Sequence, residues 1–164
     1  MAELTFKSAP IHTNGELPAV GSHAPDFTLV DGSLSDKTLA DFAGKTVILT
    51  VNPSYDTGVC MATARGFNAR AKDVDAVVLM VSADLPFAQK RFCEAEGLDH
   101  VVALSCFRST FAKDYGLEMV DGPLRGLTAR AVIVIGDDGK VRHSQLVPEI
   151  VQEPDYEVAL AAAQ

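Results

Sequence analysis

The 164-residue chain has no tryptophan, only three cysteines and no long apolar run. Its longest uninterrupted apolar stretches, such as Ala76 to Val81, are far shorter than the roughly 18 residues that a membrane-crossing helix needs. The net charge of −8 at pH 7 argues against a partner nucleic acid, which requires a basic surface. The N-terminus has no basic start followed by an apolar segment, so we expect no secretory signal and a cytoplasmic location.

The length and composition are those of one globular domain. A chain of 17.4 kDa is large enough to bury an extended core. Hydrophobic residues make up 48% and charged residues 22%, which are ordinary globular values. No repeat, low-complexity stretch or linker interrupts the sequence. We therefore expect a single domain over residues 1–164.

The small number of cysteines and histidines points away from a disulfide framework and a metal site. Three cysteines is an odd number, and a cytoplasmic protein does not need structural disulfides. The four histidines are scattered, at positions 12, 23, 100 and 143, without the short spacing of metal ligands. The thiols are therefore either buried apolar groups or reactive groups, and composition does not separate these two possibilities.

Strand-like and helix-like segments alternate along the chain. Apolar, β-branched runs predict buried strands at residues 46–51, 76–82, 100–105 and 130–135. Helical segments are predicted at residues 58–73, 85–97, 109–116 and 153–164. The opening third reads as strands with a turn at Asn14–Gly15, and a second hairpin follows residue 135. This order predicts an α/β thioredoxin-like three-layer domain with a mixed central sheet, helices on both faces and an N-terminal β-hairpin.

The segment PSYDTGVC, residues 53–60, places a thiol at a junction between a strand and a helix. Pro53 ends the strand because it has no N–H for the ladder. Asp56 or Thr57 can cap the helix, and with Thr57 as the cap Cys60 is the third helical residue. The helix N-terminus favours an anion, and the thiolate is the nucleophilic form of cysteine. Cysteine is also among the most buried residue types, so spacing alone leaves a reactive and an inert Cys60 equally open.

Two cysteines and one arginine elsewhere in the chain are also interpreted from their positions. Cys93, near the end of the second helix, is either a core residue beside Phe92 or a thiol that condenses with a sulfenic acid on Cys60. Cys106 follows a buried strand and is interpreted as a core thiol. Arg130 heads the predicted strand at residues 130–135, where it is either a surface residue or a cation that faces Cys60.

Taken together, these segments resemble the peroxiredoxins. NPSYDTGVC carries the Pro-x-x-x-Thr-x-x-Cys pattern of that family. Three other segments are similar to the bacterial thiol peroxidase subfamily of atypical two-cysteine peroxiredoxins: SADLPFAQKRFCEAEGL, YGLEMVDGPLRGLTARAVIVIG and SQLVPEIVQEPDYEVALAA. The similarity runs essentially end to end, and the LPFAQKRFC block at its proper distance makes it specific.

The resemblance implies a thiol-specific peroxidase that reduces hydrogen peroxide and organic hydroperoxides. It implies that Cys60 is the peroxidatic cysteine and Cys93 the resolving one, joined by an intramolecular disulfide during turnover. Thr57 would hydrogen-bond the thiolate and the peroxide, Pro53 would shield the thiolate from solvent, and Arg130 would stabilise it. The resemblance also implies thioredoxin as the reductant, a homodimer, and no metal or bound cofactor.

Two residues beside the motif depart from the family pattern. Asn52 stands where the family commonly has phenylalanine, and Tyr55 stands where a smaller aliphatic residue is usual. Both lie beside the pocket. We therefore expect the preference for bulky hydroperoxides and the nearby dimer contacts to differ from those of the family, while the assignment of the thiol chemistry stays the same.

Three alternative functions are weighed against the peroxidase. A thiol–disulfide oxidoreductase or chaperone-like binder of the same fold usually carries a C-x-x-C pair, whereas Cys60 is followed by Met-Ala-Thr. A metal-binding module would need Cys or His pairs at short spacing, and none is present. A redox sensor that uses a Cys60–Cys93 disulfide as a switch without turnover fits the same residues and stays open.

Overall fold

Seven strands form the central sheet of the computed structural model, which describes all residues from 1 to 164. Two further strands pair as a separate N-terminal hairpin. In chain order the strands are β1 Glu3–Phe6, β2 Ala9–His12, β3 Thr28–Val30, β4 Asp36–Thr38, β5 Val47–Val51, β6 Val77–Ser82, β7 Val102–Ser105, β8 Ala131–Ile135 and β9 Val141–Leu146. The helices are α1 Gly58–Ala71, α2 Pro86–Glu96, α3 Phe111–Asp114 and α4 Tyr156–Ala162, with a short 3-10 helix at Leu39–Phe42. None of the helices has the length and apolar character that crossing a membrane requires.

The central sheet is mixed, in agreement with the sequence-based prediction. Its strand order is β4-β3-β7-β6-β5-β8-β9, in which β5, β6 and β7 are parallel and β8 is antiparallel to β5. Both β5 and β8 are buried at every position. Their apolar, β-branched sequences VILTV and AVIVI suit strands that are covered on both faces.

Two apolar layers lie on opposite faces of the sheet because neighbouring residues of a strand point in opposite directions. Ile48 of β5 packs in one layer with Phe67 of α1 and Leu160 of α4. Leu49, the next residue, packs in the other layer with Phe111 of α3 and with side chains of the N-terminal hairpin. This arrangement confirms the predicted three-layer α/β fold.

The turn that joins β1 to β2 lies at Lys7 and Ser8, whereas the predicted turn residues Asn14 and Gly15 form a bend after β2. Only Lys7 and Ser8 connect β1 to β2, and their φ values are 50° and 69°. Two successive left-handed residues are typical of the tight hairpin turns that match the twist of the strands. The Asn14 backbone N–H instead donates to the carbonyl of Glu118 at 2.9 Å. The Asn-Gly pair therefore joins the hairpin to a distant loop.

The His12 imidazole ties the N-terminal hairpin to the loop that contains Asp121. Its Nδ1 lies 2.7 Å from Asp121 Oδ2, and its Nε2 lies 3.3 Å from Glu3 Oε2. The hydrogen bond to Asp121 is the main cause that raises the pKa of His12 above its ordinary value of 6.5. The same bond lowers the pKa of Asp121 below its ordinary value of 3.8.

We expect this pair to stabilise the protein in weak acid and to lose its effect at alkaline pH. Because folding raises the pKa of His12, its contribution is complete below about pH 6.5 and disappears as the pH rises through the raised pKa. Because folding lowers the pKa of Asp121, that contribution holds above about pH 3.8 and is lost as the pH falls through the lowered pKa. The Tm of wild type should therefore exceed that of His12→Gln most between about pH 4 and pH 6.5. His23→Gln, at an exposed histidine, is the control, and a difference that grows toward alkaline pH would contradict the expectation.

Candidate active site

The sheet topology brings three chain segments to one edge. Val51, the last residue of β5, pairs with Ala131, the first residue of antiparallel β8. Asn52, which follows β5, therefore lies opposite Arg130, which precedes β8. Parallel β6 ends at the same edge and is followed closely by Asp84. The edge thus collects groups that are far apart in sequence, as is usual at the carboxyl ends of parallel strands.

Helix α1 begins at this edge and carries Cys60 in its first turn. Thr57 is the N-cap, and its Oγ1 accepts a hydrogen bond from the Cys60 backbone N–H at 3.4 Å. The Thr57 hydroxyl donates to the Ser54 carbonyl at 3.2 Å, which holds the cap in place. Of the two predicted caps, Thr57 is therefore the one used, and Cys60 is the third helical residue as predicted. The position exposes the sulfur to the partial positive charge of the helix N-terminus.

Arg130 faces Cys60 and is buried, with 1% of its surface exposed. Its Nη2 donates to Cys60 Sγ at 3.2 Å, its Nε donates to the Ile150 carbonyl at 3.0 Å, and its Nη1 contacts Thr63 Oγ1 at 3.4 Å. Arg130 forms an ion pair with no carboxylate. Among its hydrogen-bond partners, only Cys60 has a group that can become an anion. A buried cation without a counterion is costly, and Cys60 is the hydrogen-bond partner that could balance the charge of Arg130.

Asn52 is a second partner of Arg130, in a role that the sequence did not reveal. Its Oδ1 accepts a hydrogen bond from Arg130 Nη1 at 2.6 Å, and its Nδ2 donates to the Tyr55 hydroxyl at 3.0 Å. Asn52 has no exposed surface and Tyr55 is 3% exposed. Both residues that depart from the family pattern therefore contact the arginine network. The sequence shows only that Asn52 is a polar residue at the end of a predicted strand. That this strand pairs with the strand of Arg130 is seen only in the structure.

Asp84 organises the loop that precedes Cys60, and sequence reasoning also missed it. Its carboxylate accepts hydrogen bonds from Ser54 Oγ at 2.7 Å, from the Tyr55 backbone N–H at 2.8 Å and from Ser82 Oγ at 2.8 Å. The available signal was an acidic residue just beyond the carboxyl end of a strand parallel to β5. Asp84 thereby anchors residues 54 and 55 of the motif to the end of β6.

Pro53 and Cys93 are the two remaining predicted site residues. Pro53 is buried where β5 ends. Cys93 is half-buried on α2 and packs against the same small apolar cluster as Cys60, together with Phe92. Burial is the main cause that raises the pKa of Cys93, with a smaller contribution from the neighbouring Glu94 carboxylate. All three cysteines are free thiols in this structure.

Cys106 lies in the apolar layer on the opposite face from Cys60 and Cys93. It is 7% exposed, and burial raises its pKa to about 11. A thiol with this pKa stays protonated at neutral pH and is a poor nucleophile. The prediction that Cys106 is a core thiol is therefore confirmed. No group of three or more His, Cys, Asp or Glu side chains is arranged to hold a metal ion.

Comparison with known proteins shows which family this chain belongs to. The family model of the redoxins matches residues 19–160. The thiol peroxidases of Mycobacterium tuberculosis and Mycobacterium bovis are each 55% identical to this chain over 162 residues, which cover 99% of this chain and 98% of theirs. This chain belongs to the thiol peroxidases of the redoxin family. The resemblance inferred from the sequence is thereby confirmed.

Solved structures of related proteins agree with that membership. A peroxiredoxin-like protein from Aquifex aeolicus superposes with a TM-score of 0.94 at 35% identity, and the match covers 99% of this chain and 96% of that protein. A thiol peroxidase from Chromobacterium violaceum superposes with a TM-score of 0.89 over 96% of this chain and 93% of that one. Its identity is only 22%, so it supports the fold alone. Within this thiol peroxidase, Cys60 is the thiol that lies next to a buried cation.

Proposed function

We propose that this thiol peroxidase reduces hydrogen peroxide and organic hydroperoxides by attack of the Cys60 thiolate. The contact of 3.2 Å between Arg130 Nη2 and Cys60 Sγ carries the proposal. It pairs the nucleophile with a fixed positive charge inside the protein, where such a pair is stronger than in water. The helix N-terminus, capped by Thr57, adds to the stabilisation of the anion.

In the first step the Cys60 sulfur attacks the nearer oxygen of the peroxide. The S–O bond forms as the O–O bond breaks, so the sulfur is oxidised to a sulfenic acid and the peroxide is reduced to water or an alcohol. Arg130 and the Thr57 hydroxyl would donate to the peroxide oxygens and stabilise the departing anion, which takes up a proton. Cys60 has no exposed surface whereas Thr57 is exposed, so we propose that peroxide enters from the side of Thr57. Pro53, which is buried at the start of the motif, would shield the sulfur from solvent.

In the second step the Cys93 thiol would condense with the Cys60 sulfenic acid. An intramolecular disulfide forms and one water leaves, with no further oxidant. Cys93 sits near the end of α2, and Cys60 in the first turn of α1, so both turns would unwind locally to bring the sulfurs together. The raised pKa of Cys93 keeps it a thiol before this step. Peroxide would therefore react with Cys60 rather than with Cys93.

The remaining properties follow from the family and complete the cycle. Thioredoxin would return the Cys60–Cys93 disulfide to two thiols by dithiol exchange, which requires a reducing compartment such as the cytoplasm. No bound cofactor is needed, since sulfur and the reductant carry the electrons. We also propose that the chain is one functional domain over residues 1–164 and forms a homodimer. The exposed apolar side chains beside the loop of Asp84 support the proposal of a homodimer. They are Leu85, Phe87 and Phe107.

The experiment that tests the proposal maps the oxidised cysteines after limited peroxide. Reduced wild type is treated with substoichiometric hydrogen peroxide or cumene hydroperoxide, and its disulfides are located by mass spectrometry. We expect a Cys60–Cys93 disulfide in wild type and a sulfenic acid on Cys60 that can be trapped in Cys93→Ser. Cys106→Ser, which removes a buried thiol on the other face, is the matched control and should behave as wild type.

Other results would separate the alternatives. Oxidation of Cys93 or Cys106 while Cys60 stays reduced would overturn the proposal. A Cys60–Cys93 disulfide that forms, but that thioredoxin does not reduce during repeated turnover, would favour the redox sensor. Turnover of many peroxide equivalents per protein with thioredoxin and its reductase would support the enzyme.

A further inference from the structure

The two residues that depart from the family pattern form a hydrogen bond with each other. Asn52 Nδ2 donates to the Tyr55 hydroxyl at 3.0 Å, and both side chains are buried. A phenylalanine at position 52 or an aliphatic residue at position 55 could not form this bond. The two departures therefore act as one unit.

The backbone of Asn52 is fixed to the sheet on both sides. Its N–H donates to the Val81 carbonyl at 3.0 Å, and its carbonyl accepts from the Thr128 hydroxyl at 2.8 Å. With the backbone fixed, only the side-chain amide of Asn52 can change its orientation. Its Nδ2 is bound to the Tyr55 hydroxyl and lies 3.3 Å from Thr50 Oγ1, which turns Oδ1 toward Arg130.

The orientation of this amide sets where the guanidinium of Arg130 points. The guanidinium is planar, so contacts at two of its nitrogens determine the direction of the third. Nε is bound to the Ile150 carbonyl and Nη1 to Asn52 Oδ1, and Nη2 is then directed at Cys60 Sγ. The bond to Asn52, at 2.6 Å, is the shortest that Arg130 makes. Thr63, at 3.4 Å from Nη1, is a weaker second support.

Tyr55 in turn links this network to the helix of Cys93. Its ring stacks on Phe92 with centroids 5.4 Å apart and an interplanar angle of 21°. Its backbone N–H is bound to Asp84, so the residue is anchored at both ends. A continuous set of contacts therefore runs from α2 through Tyr55 and Asn52 to Arg130.

We propose that Asn52 is a positioning residue that holds Arg130 against the Cys60 sulfur, and that Tyr55 acts through Asn52. The proposal rests on the proposed function only for its consequence in peroxide reduction. The proposed physical effect is that the Asn52–Tyr55 pair stabilises the Cys60 thiolate by holding the Arg130 guanidinium in the orientation that contacts the sulfur.

The test measures the Cys60 thiolate directly and the peroxide reaction separately. All variants are made in a Cys93→Ser/Cys106→Ser background, so that only Cys60 titrates and is oxidised. The pH dependence of the thiolate ultraviolet absorbance is recorded for the background protein, Asn52→Ala, Tyr55→Phe and the double variant. The rate of a single oxidation by hydrogen peroxide is then measured on the same four proteins. Tyr115→Phe removes a buried hydroxyl bound to the Pro25 carbonyl and is the matched control.

We expect Asn52→Ala to move the thiolate titration to higher pH and to slow peroxide oxidation about tenfold, because a hydrogen bond to a charged group is lost. Tyr55→Phe should shift both readouts in the same direction, with a rate loss of about threefold, since one neutral hydrogen bond is lost. In the Asn52→Ala background Tyr55→Phe should have no further effect. Tyr115→Phe should change neither readout.

Other outcomes would overturn the proposal. Equal effects of Tyr55→Phe with and without Asn52 would mean that Tyr55 acts independently. An unchanged thiolate titration in folded Asn52→Ala and Tyr55→Phe would remove the positioning role, even if the rate fell. Should Asn52→Ala fail to fold, Asn52→Ser takes its place, and Tyr55→Phe alone still decides the second part. If the background protein reacts with peroxide no faster than free cysteine, the proposed function fails while the titration still decides the positioning.

Discussion

Replacement of Arg130 by glutamine is expected to slow the oxidation of Cys60 by hydrogen peroxide about 10²- to 10³-fold, the usual effect of losing one donor that stabilises a developing anion. Glutamine is neutral and shorter, so it removes the buried positive charge and the Nη2 contact at 3.2 Å from the sulfur. Two consequences add together. Less Cys60 is ionised at neutral pH, and the departing oxygen anion loses a charged donor. The measurement is the rate of a single oxidation under excess peroxide, followed by the disappearance of free thiol on Cys60.

Two further variants make the Arg130 result specific. Arg130→Lys keeps the charge but has no planar fork to contact Asn52, Ile150 and Cys60 together, so we expect a rate between wild type and Arg130→Gln. Arg125→Gln, at an exposed arginine, is the matched control and should react as wild type. A folded Arg130→Gln protein with the wild-type rate would show that the contact between arginine and sulfur has no part in the reaction.

Most of the fold was predictable from the sequence because it follows from local patterns. The buried strands β5 and β8 are recognisable in the sequence as continuous β-branched runs. Helix α2 is bounded by Pro86 in its first turn and by Gly97, which ends the helix in a left-handed conformation. The N-terminal hairpin was predicted, but the position of its turn was not, because Lys7 and Ser8 adopt positive φ angles without glycine or asparagine. Pairing of β1 with β2 and of the hairpin with the rest of the protein outweighs the weak local preference of two turn residues.

The candidate site was predictable only where its chemistry is local. Thr57 and Cys60 belong to one helix turn, so a cap and a thiol at the right spacing were visible in the sequence. The environment of Arg130 was not visible, because it depends on β8 being antiparallel to β5 and in register with it. The role of Asn52 depends on the same register, because its side-chain amide bonds both Arg130 and Tyr55. This role was therefore not visible in the sequence. Sequence patterns report periodicity and local spacing, whereas this contact arises from the pairing of strands about 80 residues apart in the chain.

The burial of Arg130 also explains why the site is expected to tolerate neutral substitutions poorly. A guanidinium in the interior is stable when its donors are satisfied and its charge is balanced. Three of its partners are neutral oxygen atoms, of Ile150, Asn52 and Thr63, and these satisfy donors without balancing the charge. Under the proposed function, the Cys60 thiolate would supply the balancing charge. Stability and reactivity of the reduced protein would then depend on the same contact between Arg130 and Cys60.

Replacement of Cys60 by serine is expected to abolish thioredoxin-dependent peroxide reduction, with a loss of at least about 10⁴-fold, as when other enzymes lose their nucleophile. A serine hydroxyl does not ionise at neutral pH and cannot form a sulfenic acid or a disulfide with Cys93. The same change leaves Arg130 without an anion, so we expect the free energy of unfolding at neutral pH to fall by about 1–3 kcal/mol, the cost of losing a hydrogen bond to a charged group. Turnover is measured with a thioredoxin system, and stability by denaturant unfolding of the reduced proteins.

Cys106→Ser is the control that separates the two roles of a buried thiol. Cys106 is nearly as buried as Cys60, but it packs in the apolar layer on the opposite face of the sheet and contacts no cation. Its replacement places a hydroxyl in an apolar environment, so stability should fall by about 1–3 kcal/mol while turnover stays at the wild-type rate. Persistent turnover in Cys60→Ser would refute the assignment of the nucleophile. Loss of turnover in a folded Cys106→Ser protein would place the chemistry on the other face of the sheet and contradict the proposal.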